Sequence, residues 1–417
     1  MKRSDFEIMA PAGSRESLWA ALEAGADAVY FGIGALNMRA NSAAAFTIDD
    51  LREIAAICSE RGVKSYLTVN TIIYDEDVEQ MRTIVDAAKQ AGISAVIASD
   101  VAVMQYCAQV GMEVHLSTQL NISNVEALKF YSRFADVVVL ARELHMKQVA
   151  NIHAAIEKEQ IKGPNGDLVR IEMFCHGALC MAISGKCYMS LHTRGKSANR
   201  GACLQNCRRS YIAVDKERGT ELEMDNGYIM SPKDLKTIGF LDAMVAAGVR
   251  VFKIEGRARG PEYVKTVVEC YNEALDAVLE GRWSEEISRS WDERLAAVFN
   301  RGFWDGWYQG RTTLEWTERY GSQATEKKVF SGKCLKYYSK PGIGLFLIQS
   351  EAVRKGDKLL VTGPTTGAVF IEPDELRIDE QTVDAAPKGS SVTFKVPCRV
   401  RENDKLYIMR PVTEDLL

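Results

Sequence analysis

No Asp or Glu occurs between Glu172 and Asp215, although acids outnumber bases over the whole 417-residue chain, 56 against 52. The net charge of −4 excludes a globally cationic nucleic-acid binder, so any contact with a polyanion has to rest on a local patch. The N-terminal stretch MKRSDFEIMAPAG lacks an apolar run of signal-peptide length, and no membrane-length run occurs elsewhere, so the expectation is a cytoplasmic protein. HExxH and GxSxG are both missing, which removes the common zinc-protease and serine-hydrolase readings. With only five histidines, no Cys/His pairing can be assigned from spacing. CxxC knuckles are absent, and Cys203 and Cys207 have no third cysteine three residues on, so the radical S-adenosylmethionine signature is missing too.

Cysteine, by contrast, is concentrated. Five of the ten lie between Glu172 and Tyr211, and Cys180, Cys187, Cys203 and Cys207 are separated by six, fifteen and three residues. Interleaved glycines (Gly177, Gly185, Gly195, Gly201) let such a loop fold back and bring distant thiolates together. In a reducing compartment a cluster of this kind points to metal ligands or redox groups rather than disulfides. The spacings match neither a structural zinc ribbon nor a ferredoxin, so the residues alone leave zinc and iron–sulfur open. Cys175, on a strand, favours packing, and Cys58, Cys107, Cys270, Cys334 and Cys398 read as core residues or reduced thiols. The loop is also cationic: Arg194, Lys196, Arg200, Arg208 and Arg209, with Lys186, suit a phosphate-facing surface, against the plainer reading of a solvated loop.

Outside this stretch, short β-rich runs alternate with helical ones. FEIMAPAG, DAVYFGIG, KSYLTVN, SAVIASD, EVHLSTQ, DVVVLARE, RIEMFCHG and VRVFKIEGR give eight strands, with helices expected at Ser14–Ala24, Asp49–Glu60, Asp75–Gln90 and Pro232–Ala246. The pattern predicts a (β/α)8 barrel over 1–324, the alternative being an open doubly wound sheet. Helical patterns at Pro261–Glu280 and Glu285–Asn300 and an aromatic segment, GFWDGWYQG, complete it. From 325 to 417 short strands and glycine turns predict a small all-β, barrel-like module.

Barrel active sites sit at the C-terminal strand ends. Those ends are polar here. Arg39, Asn70, Arg142, Lys253 and Arg257 are candidates for binding a carboxylate substrate, for which guanidinium forks are suited; the plainer reading is rim salt bridges to Glu143 and Glu255. His176 and Glu255 are the candidate acid–base groups, with His176 equally readable as a satisfied polar residue at a strand end. The cysteine loop, about 175–211, leaves strand seven on this same face.

The run HGALCMAISGKCYMS with downstream CLQNC, the opening APAG...GADAVYFG, and MSPKDL...KIEGRARG resemble the collagenase-like peptidases of unknown catalytic type. Within that family the chain is similar to the prephenate-dependent tRNA uridine hydroxylases. The resemblance implies a barrel, a [4Fe-4S] cluster on Cys180, Cys187, Cys203 and Cys207, and conversion of the anticodon wobble uridine to 5-hydroxyuridine. It makes prephenate the co-substrate and tRNA the partner. Peptidase activity and a non-catalytic RNA-binding iron–sulfur scaffold are the rival readings; eight loops of mixed polar groups exceed what a docking surface needs.

Overall fold

The computed structural model describes residues 1–40, 46–209, 211–224, 230–317 and 321–412. Short runs rich in Val, Ile and Ala, buried on both faces as parallel strands require, become β1 (Glu7–Pro11), β2 (Ala28–Phe31), β3 (Lys64–Val69), β4 (Ala95–Ala98), β5 (Val114–Leu116), β6 (Val137–Val139) and β7 (Arg170–Gly177). An insertion follows, carrying the hairpin β8 (Tyr211–Val214) and β9 (Glu221–Met224) and then β10 (Asp234–Lys236), before the chain returns to the barrel as β11 (Val249–Ile254). Each strand from β1 to β7 pairs with the next, and β11 pairs in parallel with both β7 and β1. The sheet is therefore the closed eight-stranded barrel expected from the alternation of strand and helix.

Helices α1 (Arg15–Glu23), α2 (Leu51–Glu60), α3 (Val78–Ala91), α4 (Val101–Val110), α5 (Val125–Tyr131) and α6 (Met146–Glu159) follow the first six strands. Ser14 caps α1 by accepting from Ser17 N, and Asp100 caps α4 by accepting from Ala102 N. The short α7 (Met189–Arg194) lies in the cysteine loop, and α8 (Leu241–Ala246), α9 (Pro261–Leu279) and α10 (Glu285–Ala297) flank the final strand. The helix expected at Pro232–Ala246 is corrected: its first half is β10, antiparallel to the end of β7, and helix begins only at Leu241. The aromatic segment supplies β12 (Phe303–Trp304), which pairs with β10, and Tyr308, whose hydroxyl donates to Phe174 O at 3.1 Å.

The second module comprises β13 (Glu326–Tyr338), β14 (Ile343–Ile348), β15 (Val353–Arg354), β16 (Leu359–Gly363), β17 (Gly367–Ile371), β18 (Leu376–Ile378), β19 (Gln381–Val383), β20 (Ala385–Ala386), β21 (Ser391–Lys395) and β22 (Lys405–Pro411). Eight of these form one antiparallel sheet in the order β17-β16-β22-β13-β14-β21-β18-β19. Its core, with Phe346 and Phe394 stacked at 4.6 Å, is separate from that of the barrel. The two modules meet where Leu360, Ala368 and Met409 pack on Ala20 of α1, and Lys328 Nζ reaches Glu262 at 2.8 Å.

Inside the barrel, Met9, Tyr30, Tyr66, Ile97, Val137 and Val251 form an apolar plug. Below it, at the N-terminal strand ends, Glu7 is buried between Lys64 Nζ at 2.9 Å and Arg170 Nη1 at 3.0 Å and accepts from the Tyr66 hydroxyl at 2.5 Å. Burial opposes ionisation of Glu7, yet Arg170 and Lys64 prevail and hold its carboxyl down at about 2, against an ordinary 4.5. A depressed acid stabilises the fold above its unfolded value and loses that contribution as pH falls through the folded one. Chemical denaturation should therefore show stability declining from about pH 4.5 towards 2, by on the order of 3 kcal/mol from this group. Glu7→Gln should lose a similar amount at pH 7 and show a flatter acid limb; an acid limb as steep as the parent's would assign the effect to other carboxylates.

Candidate active site at the barrel mouth

The C-terminal strand ends open into a cavity of about 210 Å³, roofed by the cysteine loop. Parity decides which side chains reach it. On β2 and β3, Tyr30 and Thr68 point inward, and the Tyr30 hydroxyl donates to Ile254 O at 2.8 Å. Beyond β3, Asn70 donates to Ser117 Oγ at 3.1 Å and accepts from Met38 N at 3.2 Å, tying three strand ends together. Lys253 on β11 and Glu255 just beyond its end face the cavity.

The wall is strongly cationic. Arg39, Arg142, Lys253 and Arg257 all line it as expected, joined by Arg208, Arg259 and Arg301. Among the described residues Glu255 is the one carboxylate on the wall; Glu172 and Asp234 stand behind it, Glu172 paired with Lys253 at 2.7 Å and Asp234 near Arg259 at 3.6 Å and Arg301 at 3.5 Å. Seven cations against these three acids leave an excess of positive charge facing the cavity. Arg39 Nη2 holds Glu255 Oε1 at 2.8 Å. Burial would raise the Glu255 carboxyl, but Arg39, Arg257 and Arg142 hold it at about 2, so it is a carboxylate at neutral pH and has no proton to give. Arg257 spends its Nη1 on Thr68 Oγ1 at 2.9 Å and Asn37 Oδ1 at 3.2 Å, while its buried Nε has no partner. Arg142 lies 3.8 Å over the Phe174 ring and donates to Ala178 O at 3.1 Å, again with Nε buried and unpartnered. Both guanidiniums line the cavity, with their Nε atoms shielded from it.

Cys180, Cys187, Cys203 and Cys207 all line the same cavity as free thiols. Burial pushes the Cys207 thiol up, Arg208 pulls it back, and Cys180, Cys203 and Cys187 push it further up, so the four sulfurs share one electrostatic neighbourhood. Among the described residues no three His, Cys, Asp or Glu side chains already stand as a preformed metal-ligand group. The remaining cysteines sit elsewhere: Cys58, Cys107, Cys175, Cys270 and Cys334 are buried, and Cys398 is exposed in the second module.

Three expectations are corrected. His176 does not line the cavity. Register slips between the Lys253–Phe174 and Ile254–His176 pairs, which turns the imidazole outward among Tyr263, Tyr271 and Phe303. Burial, with Lys236 and Arg259, holds it down at about 3, a neutral ring near Tyr271 Oη at 3.4 Å. Arg200 is not a free phosphate ligand, because Asp77 takes its guanidinium bidentately and Tyr74 lies beneath it at 4.1 Å. Arg208 is turned inward, donating to Leu179 O at 2.7 Å, Pro232 O at 2.7 Å and Ser231 Oγ at 2.6 Å. Arg194, Lys196 and Arg209 do face solvent. Tyr30, Thr68, Arg259 and Arg301 are additional wall residues; inward parity on β2 and β3 marks the first two, and the KIEGRARG run contains the third.

A closed eight-stranded parallel barrel with a polar, cationic mouth has the (β/α)8 architecture, in which active sites lie at the C-terminal strand ends. The model of Peptidase family U32 matches residues 13–318, and the chain belongs to this family. It is 61% identical over 407 residues to a collagenase of Porphyromonas gingivalis strain W83, covering 98% of each chain. It is 33% identical over 366 residues to tRNA hydroxylation protein P1 of Bacillus subtilis strain 168, covering 86% of this chain and 83% of that one. Over 278 residues it is 36% identical to the 23S rRNA 5-hydroxycytidine C2501 synthase of Escherichia coli K12, covering 66% and 40%.

The roof is seated on the barrel at Gly201, where φ is +75° and an added Cβ would collide with the backbone carbonyl of Asn37. Gly62 has a similar φ, +68°, with open space around it. Gly201→Ala should cost more stability than Gly62→Ala, by on the order of 1–3 kcal/mol, and should speed tryptic cleavage at Arg194 and Lys196. Equal behaviour of the two variants would show that this close approach does not hold the roof.

Proposed function

We propose that the chain is an RNA-modifying hydroxylase that converts a tRNA wobble uridine to 5-hydroxyuridine with prephenate as co-substrate. One observation carries this reading: the same half-open cavity is lined both by four free thiols and by guanidiniums that outnumber the acids around them. Relatives in the family that are named for hydroxylating tRNA and rRNA support it. Replacing a C5–H bond by C5–OH is a two-electron oxidation of the base that also consumes an oxygen atom, so a co-reactant must occupy the site with the nucleobase. A dicarboxylate suits a wall with excess positive charge. Arg142 and Arg257 would hold its carboxylates, each through a charge-assisted bond, while Arg39 and Glu255 form a fixed ion pair that shapes the pocket. Asn70, Ser117 and Gln119 offer neutral groups for the edge of a base.

The thiols fit an iron–sulfur group chemically: they are soft donors, free, gathered on one wall and surrounded by cations that would offset a thiolate cluster. Cys180, Cys187, Cys203 and Cys207 would hold it, and a [4Fe-4S] cluster would supply one-electron chemistry at the roof. The relatives named collagenase favour peptide hydrolysis as a second reading. A thiol or hydroxyl nucleophile needs a base beside it, and among the described residues no histidine lines the cavity, His176 being sealed behind β7.

Mass analysis of nucleosides from cells lacking the protein should show loss of 5-hydroxyuridine from tRNA. Loss of 5-hydroxycytidine from rRNA alone would move the substrate, and unchanged RNA would overturn the reading. Protein purified without oxygen should carry about four iron per chain. Alanine at any of the four cavity cysteines should strip the iron, while Cys58→Ala and Cys270→Ala should retain it; stoichiometric zinc without iron would refute the cluster.

A further inference from the structure

The second module differs in charge from the rest of the chain. Residues 325–417 hold fifteen Lys and Arg against thirteen Asp and Glu, a balance of +2, whereas the whole chain is at −4. Within the module the charges are segregated. Six acids lie between Glu372 and Asp384, with Arg377 as the one cation there, whereas residues 327–338, 343–348, 391–395 and 405–411 contain no acid at all. Those last segments are β13, β14, β21 and β22, which are neighbours in the sheet.

One face of these strands covers the module's own core, through Cys334, Phe346, Val392, Leu406 and Ile408. Strand alternation puts Lys405, Tyr407 and Met409 on the other face. Met409 docks on α1, and the face then continues past the barrel. Phe330 stands opposite Tyr407, edge to face at 5.8 Å, and is 38% exposed. Lys333 stands between Lys405 on one side and Leu347 on the other. Lys336 lies over the ring of Tyr338, at 5.2 Å, which is 40% exposed. Lysines set among part-exposed aromatic rings, with Glu326 at the start of β13 as the one acid in these strands and itself paired with Lys358, form the kind of surface that tracks a phosphate backbone and stacks bases or riboses. Its position is suited to the cavity. Lys328, at the start of the face, pairs with Glu262, which follows Arg257 of the cavity wall by five residues.

We infer that this face of the second module binds the phosphate backbone of a structured RNA whose reacting nucleotide occupies the cavity, gripping the part of the RNA that lies outside the mouth. The inference rests on the proposed RNA-modifying reading and adds a second contact surface to it. A substrate held at two places is distinguished from a short stem-loop that reaches the cavity alone.

The test compares the parent with the triple variant Lys333→Ala, Lys336→Ala, Lys405→Ala, all surface positions. Binding of full-length tRNA and of an isolated anticodon stem-loop is measured against salt concentration. For full-length tRNA the triple variant should weaken binding by roughly tenfold or more and lower the slope of log affinity against log salt by about 2–3. Stem-loop affinity should stay at the parent value. Phe330→Ala should weaken full-length tRNA in the same selective way, with thermal unfolding of both variants close to the parent's. Undiminished binding of full-length tRNA would overturn the inference and leave the face to a protein partner. Equal loss for both RNAs would place the contact at the mouth and overturn it as well. A parent that binds neither RNA would instead remove the RNA-modifying reading on which the inference stands.

Discussion

A guanidinium taken out of water has to be compensated, and the mouth of this barrel is built around that requirement. Desolvating an ion costs several kcal/mol, and four of the wall cations are met by four different devices. Arg39 has the carboxylate of Glu255. Arg142 lies on the face of Phe174, and Arg208 is surrounded by main-chain carbonyls. Arg257 is served by a hydroxyl and an amide oxygen. Only the first of these devices cancels charge. The others lower the cost of burial while leaving the positive potential in place, and that residual potential is what an anionic ligand would meet.

The same logic explains why Glu255, on the cavity wall, and Glu172, behind it, differ in use although burial bears on both. Glu172 is consumed by Lys253 across the β7–β11 junction. Glu255 lies further towards the mouth, where three guanidiniums hold it ionised. It is therefore suited to shape and orient rather than to donate a proton.

Much of the architecture was legible because parallel strands are short, apolar and separated by helical spacing, so all eight strands could be read from their text. The cavity cations were legible for a related reason: strand-end positions in a barrel converge whatever their sequence distance. The failures share a cause in contacts that local pattern cannot carry. Pro232 followed by an apolar period looks like a helix start, but pairing with β7 and β12 draws Asp234–Lys236 into the sheet. A register slip, invisible in composition, turns His176 away from the cavity. Arg200 and Arg208 belong to a run that looks uniformly solvated, and their fate is set by Asp77 and Leu179, residues placed beside them only by the fold. The lysine face of the second module follows from which strands become neighbours, and that order is not written in any one segment.

The insertion between β7 and β11 also bears on which strand completes the barrel. Closing a loop of this length costs little more entropy than closing a short one, since the cost grows only with its logarithm. Until it closes, β7 and β11 each present an unpaired parallel edge, the feature by which sheets recruit foreign strands. In any such open form Glu172 and Lys253 are charges pointing inward from those two edges, and an inward charge is a recognised deterrent to edge pairing, because a foreign strand would bury it without a counter-ion. An edge without the matching ion would leave one of these two charges buried alone, so the Glu172–Lys253 pair favours closure of β7 on β11 over pairing with an unrelated strand.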